Sequence, residues 1–127
     1  MYVTHDQVEA MTMGQRMAIM KDGVLQQCDE PETVYAHPAN KFVAGFIGSP
    51  PMNFIEATIS ADGTVGNDDF RLPIPEGNPA KGMAGKAVWL GVRPEEIFDA
   101  AIPSGVTPTA ANTIKALVDV MEPLGHE

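Results

Sequence analysis

Few residues of this chain could do chemistry, and His5 stands apart from the rest because of its neighbours. It lies in the run Tyr2-Val3-Thr4-His5-Asp6-Gln7-Val8-Glu9-Ala10-Met11. An imidazole changes charge near neutral pH and can hold a proton, a water or a phosphate oxygen. Two overlapping capping boxes fit this run, Thr4 with Gln7 and Asp6 with Glu9, and either one starts an amphipathic helix at once. With Asp6 as the cap, His5 stays outside the helix, on a loop at the end of a short apolar strand that stops at Thr4. In α/β sheets the carboxyl ends of strands are where ligands bind. The residues alone leave three roles open for His5: contact with a phosphate, an ordinary strand-end hydrogen bond, or metal ligation together with Asp6.

The other candidates are weaker. His37 and His126 lie far from His5 in the sequence, and no HxxxH or CxxC spacing occurs, so no metal site is expected. Cys28 is the single cysteine, which excludes an intramolecular disulfide and fits a reducing cytoplasm. No basic neighbour would lower its pKa, so it reads as a small filler at a strand end. The turn Arg93-Pro94-Glu95 is a candidate interaction site through Arg93 and Glu95. The alternative is a plain turn in which Pro94 fixes φ and Arg93 pairs with an acidic neighbour. Met11, Met13, Met17 and Met20 cluster at positions that suit core filling better than a soft metal site. Trp89, in mid-strand among apolar residues, reads as core rather than as a platform for a base.

The elements that would position these residues follow from period and punctuation. Residues 6–13 form a short helix with Val8, Ala10 and Met11 facing inward, and Gly14 suits its end. Met17–Met20 and Val24–Cys28 form a hairpin through Lys21-Asp22-Gly23, since Asp-Gly between apolar runs is a strong turn signal. Pro31 opens a helix that must stop near His37, because Pro38 disfavours helical geometry in the residue before it. Asn40 caps a further helix with Phe42, Val43, Phe46 and Ile47 in one stripe. Gly48-Ser49-Pro50-Pro51 breaks that helix and marks a domain boundary. Beyond it the period shortens toward two. Strands are expected around Phe54–Ile59, at Phe70–Leu72, over 86–92 and over 113–121, with loops at 76–85 and a flexible, Ala/Pro/Ser/Thr-rich stretch at 99–112. Short strands with polar turns point to a small β barrel.

Composition limits the class of function. The 127 residues suit one ordinary domain or two small partial ones, and 44% hydrophobic content permits a core. A net charge of −9 argues against nucleic acid and against anionic membranes as partners. No apolar run reaches the roughly 20 residues that a membrane helix needs, so no direct insertion into a membrane is expected.

The run around His5 resembles the switch-histidine loop of ATP-binding-cassette (ABC) transporter ATPases. Gln15 to Gln27 resembles the hairpin that follows the switch in that family. Pro31 to Tyr35, Pro38 to Asn40 and Phe42 to Ser49 resemble the last helices of the nucleotide-binding domain. Pro50-Pro51-Met52-Asn53-Phe54 and Gly91-Val92-Arg93-Pro94-Glu95 resemble the regulatory extension of sugar and glycerol-phosphate importers. Cys28-Asp29-Glu30 departs from the small residue, Gly and Thr that the family has before its proline.

The resemblance implies an α+β chain. Residues 1–49 would be a small α/β remnant, the carboxyl-terminal end of an ABC nucleotide-binding domain. Residues 50–127 would be a mostly β, partial OB-like (TOBE-type) regulatory barrel. It also implies that His5 is the switch residue that contacts the γ-phosphate of ATP. No GxxxxGK[ST] phosphate loop occurs in the 127 residues, nor a Ser-Gly-Gly signature. The chain is therefore expected to be the carboxyl-terminal part of an ATPase subunit that stops early, and to bind no MgATP or other cofactor by itself. Its partners would be a second copy or a larger self-assembly, and membrane permease subunits in the complete importer, at the cytoplasmic face of the membrane. A function of another class is a stand-alone module that binds a small molecule or an oxyanion.

Overall fold

The structure, a computed structural model, describes residues 1–121. In chain order its elements are α1 (Gln7–Met13), β1 (Met17–Lys21), β2 (Val24–Asp29), α2 (Pro31–Ala36), α3 (Lys41–Phe46), β3 (Asn53–Ile59), β4 (Thr64–Gly66), β5 (Arg71–Pro73) and β6 (Ala87–Val92). Single 3-10 turns lie at Pro79–Gly82 and Pro94–Glu96. The described residues form two compact units, one of Met1–Glu56 with Trp89–Phe98, the other of Ala57–Val88 with 99–121. The α+β class expected from the sequence holds.

The first unit is built from short pieces. Its helices are 6 or 7 residues long, too short to persist alone, so caps and packing hold them. Asp6 caps α1, its Oδ1 accepting from the amides of Val8 and Glu9. Pro31 starts α2 with its φ already helical. Asn40 caps α3 through a 2.9 Å bond from the Val43 amide. The hairpin turns at Asp22 (φ 49°) and Gly23 (φ 78°), the double positive φ of a type I′ turn, which follows the strands' own twist. The β1–β2 register shifts between Ile19 and Met20, so the strand pair carries a bulge. Met17, Ile19, Val34, Val43 and Ile47 form the buried cluster, with Ala10, Met11, Tyr35 and Phe42 packed against it.

Several expectations need correction. Residues 1–4 form no strand, and the chain ahead of His5 is irregular. Val8 faces solvent, while Ala10 and Met11 turn inward. Of the methionine cluster only Met17 is buried, and Met13 and Met20 are exposed. Nor do residues 113–121 form a strand: they join no ladder with the described residues and lie exposed. Their alternation is real, but a strand needs a neighbour to take its hydrogen bonds. The turn expected after Met121, and His126, lie outside the described residues.

The second sheet runs in the order β5-β4-β3-β6. Thr58 pairs with Gly66 and Ile59 with Val65, antiparallel. Val65 also pairs with Leu72 across the next antiparallel ladder. Ala57, Ile59 and Ile74 are buried. Among the described residues the sheet does not close into a barrel. Its turn at 60–64 is held by Asp62, whose Oδ1 accepts from the Thr64 hydroxyl (2.7 Å) and the Thr64 amide (3.0 Å). The bond from the Thr64 hydroxyl does most to hold the Asp62 carboxyl below its ordinary value of 3.8, followed by the amide bond, with a smaller pull from Arg71.

A depressed carboxylate pKa means that the turn gains from Asp62 fully above pH 3.8 and loses that gain as pH falls through the lower, folded value. A carbon-13 titration of the Asp62 carboxyl should place its midpoint below 3.8. In Thr64→Val, which keeps the shape but loses the hydroxyl, the midpoint should move up. An unchanged midpoint would remove the hydroxyl as the cause.

Candidate functional site

The start of α1 differs in detail from either capping box. Glu9 does not reach back to the Asp6 amide. That amide donates instead to the Thr4 hydroxyl (3.0 Å), and the hydroxyl in turn donates to the Glu9 carboxylate (2.8 Å). Thr4 thus ties the segment before the helix to its first turn. His5 sits between these two anchored residues, ahead of the helix and exposed. Its imidazole makes no hydrogen bond with the described residues, so the strand-end bond considered for it is not formed. Among the described residues, no group of three His, Cys, Asp or Glu side chains could hold a metal.

The next residue, Gln7, is fixed by contacts that no local pattern announces. Its Nε2 donates to the Phe46 carbonyl, and its Oε1 accepts from the Gly48 amide at 2.9 Å. One side-chain amide therefore joins the His5 loop to the exit of α3, about forty positions along the chain.

Arg93 is found inside the protein. Only 7% of it is exposed. Nη1 donates to the Ile47 carbonyl and Nη2 to the Tyr35 carbonyl, each at 2.8 Å, and the guanidinium lies 3.7 Å from the centre of the Tyr35 ring. The acidic pairing considered for Arg93 is thus replaced by two main-chain acceptors. Burial lowers its pKa from the ordinary arginine value, and the nearby Glu96 carboxylate opposes that shift. Glu95 stays exposed and accepts a hydrogen bond from the Tyr35 hydroxyl. Of the two charges in the turn, Glu95 therefore faces outward while Arg93 fixes the turn from within.

A second patch was not anticipated from the sequence. Lys21, Lys41, Phe42, Gly45, Phe46 and Phe54 line an open groove of about 480 Å³. The Lys41 ammonium stands 3.2 Å above the Trp89 ring and 5.2 Å from Phe54, and Lys21 stands 4.8 Å from Phe42. Phe42 and Phe46 stack with centroids 5.5 Å apart. Trp89 is 50% exposed, not core. The alternation of β6 accounts for this, because Val88, Leu90 and Val92 take the inner face. The aromatic faces stabilise both lysines through their ring quadrupoles.

Comparison with known proteins bears on the family of the chain. A model of the MalK OB fold domain matches residues 48–97. The trehalose/maltose import ATP-binding protein MalK of Thermococcus litoralis is 50% identical over 99% of this chain, which spans 35% of that relative. The oligosaccharides import ATP-binding protein MsmX of Bacillus subtilis is 46% identical, again over 99% of this chain and 35% of the relative. The sn-glycerol-3-phosphate import ATP-binding protein UgpC of Salmonella paratyphi A is 46% identical over 92% of this chain and 33% of the relative. The chain thus spans about a third of the length of the curated relatives it matches.

The buried arginine gives a direct prediction. Arg93→Met fills much of the same space but strands the Ile47 and Tyr35 carbonyls without a donor. Urea unfolding should show a loss of about 2–6 kcal/mol, from roughly 1–3 kcal/mol for each of the two acceptors left unsatisfied. The exposed substitution Val24→Ala should stay within about 0.5 kcal/mol of the parent chain. Equal effects from both would mean that the guanidinium bonds contribute nothing.

Proposed function

Because this chain belongs to the ATP-binding subunits of ABC importers, we propose that it serves as a regulatory and dimerisation segment of such a subunit and does not hydrolyse ATP by itself. The observation that carries the reading is the combination of near-complete coverage at 50% identity with an exposed His5 held just outside the capped start of α1. In the complete subunit, MgATP is the substrate and permeases in the membrane are the partners, with the assembly at the cytoplasmic face. The cargo is a sugar, glycerol phosphate or similar solute, in keeping with the names of the relatives.

His5 is the switch residue in this reading. An imidazole in that position can accept or donate a proton to a γ-phosphate oxygen or to the attacking water. Thr4 and Asp6 hold the main chain on either side of it, and the imidazole is exposed. The phosphates need a cradle of backbone amides and a lysine, and no such run occurs in the 127 residues. The mass-verified chain should therefore show no MgATP turnover. In a complete subunit, replacing the equivalent of His5 by Ala should lower turnover about a hundredfold or more. Turnover by the chain that is lost in His5→Ala would overturn the proposal. Saturable micromolar binding of molybdate, tungstate or a sugar phosphate, followed by calorimetry, would shift the function to a stand-alone binding module.

Self-association belongs to the same proposal. β5 and β6 are the two outer strands of the second sheet, and apolar Ile114, Leu117, Val118 and Val120 are exposed. Outer strands and exposed apolar alternation favour pairing with another chain. Light scattering after size-exclusion chromatography should give a dimer or larger species. A monomer at every concentration would remove the dimerisation role.

A further inference from the structure

We propose that the Gln7 side chain is a positioning device that transmits displacements of the α3 exit, residues 46–48, to the His5 loop. The meaning of the device rests on His5 being the switch residue, whereas its existence does not.

The geometry is specific. Within this exit, three main-chain groups in succession are taken by side chains from distant parts of the first unit. The Phe46 carbonyl accepts from Gln7, the Ile47 carbonyl accepts from Arg93, and the Gly48 amide donates to Gln7. The carboxamide of Gln7 offers a donor and an acceptor to a donor and acceptor two residues apart, as a neighbouring strand would. Its orientation is dictated by these partners, since a reversed amide would set oxygen against the Phe46 carbonyl and NH₂ against the Gly48 amide. Gln7 is also the first residue of α1, directly after the cap Asp6 and two positions from His5. Any shift of 46–48 must either break both bonds or carry the start of α1 with it.

The far side of the exit is equally constrained. Gly48 has φ 126°, and a β-carbon there would lie 2.7 Å from Arg93 Nη1. A side chain at 48 would thus collide with the guanidinium, and the 2.8 Å bond from Arg93 Nη1 to the Ile47 carbonyl ties the exit to the residue that fixes the turn before Glu95. The line of contact runs from the 93–95 turn through Ile47 and Gly48 to Gln7, and from Gln7 to His5. Each link is a hydrogen bond or a covalent neighbour, and nothing in it requires nucleotide. A displacement of the turn, by a partner or by a change of state, then reaches the histidine.

The test is a double-substitution cycle on the 127-residue chain, read by nuclear magnetic resonance of the His5 imidazole and the Gly48 amide. Arg93→Lys disturbs the exit while keeping the charge. Its expected effect is a chemical-shift change at both Gly48 and His5. In the Gln7→Ala background the same Arg93→Lys change should still move Gly48 but no longer move His5. Gln7→Ala alone should speed exchange of the Gly48 amide about tenfold, the loss of one hydrogen bond. Gln7→Glu keeps the acceptor for Gly48, loses the donor to Phe46, and should give an intermediate response, which covers the case in which Gln7→Ala fails to fold. A His5 shift that is the same with and without Gln7, or the absence of any His5 shift on Arg93→Lys, would overturn the proposal. Because no nucleotide is used, a failure of the switch-residue reading in turnover assays would not imitate either result.

Discussion

A guanidinium that is almost completely buried must be surrounded by acceptors, and the acceptors it finds decide how the first unit is assembled. Arg93 donates to the carbonyls of Ile47 and Tyr35 and lies on the Tyr35 ring. Tyr35 belongs to α2 and Ile47 follows α3, so one side chain joins two helices to the turn after β6. The charge cannot be left unpaired in such a place without a penalty of several kcal/mol. Both helices must therefore end where their last carbonyls face the same point. The apolar packing of Val34, Val43 and Ile47 places those helices, and Arg93 fixes their ends.

The same logic recurs at smaller scale. Helices of 6 or 7 residues have hardly any internal hydrogen bonds, so most of their polar main-chain groups need outside partners. Side-chain amides supply many of them. Gln27 accepts from the Ala39 amide (2.8 Å) and donates to the His37 carbonyl (3.1 Å), and Asn40 donates to Gln26 (3.0 Å). These contacts hold the connection between α2 and α3 against β2. The first unit thus combines a small buried cluster with a set of amide clamps, and Gln7 is the member that lies closest to the candidate switch histidine. The side chains that close the fold also connect the 93–95 turn, through the α3 exit, to the start of α1 beside His5.

Much of the local structure was legible. The Asn40 cap, the Pro31 start, the stop before Pro38 and the Asp22-Gly23 turn follow from the sequence, and of the two caps it leaves open for α1 the structure takes Asp6, because each depends on contacts within a few residues. The family could be read as well, since its motifs are contiguous runs. Trp89 departs from the core position expected for it, although the sequence contains the reason. Its strand neighbours Val88, Leu90 and Val92 alternate on the other face, and that period outranks the hydrophobicity of a single ring. The segment 113–121 failed for the opposite reason. Its alternation was read correctly, but alternation describes which face a strand would bury and says nothing about whether a neighbour exists to pair with it.

The amino-acid sequence by itself determined the short-range features: where helices start and stop, the hairpin, the change of period after Pro50-Pro51, and the place of His5 outside a capped helix. These are set by sterics and hydrogen bonds over a few residues, so the order of residue types contains them. Only the tertiary structure decided that Arg93 turns inward to two carbonyls, that Gln7 closes on Phe46 and Gly48, and that Lys41 stands over Trp89. Those partners lie about forty to sixty positions apart. A lone glutamine or arginine offers the same donors to any acceptor in reach, and packing alone determines which acceptor that is.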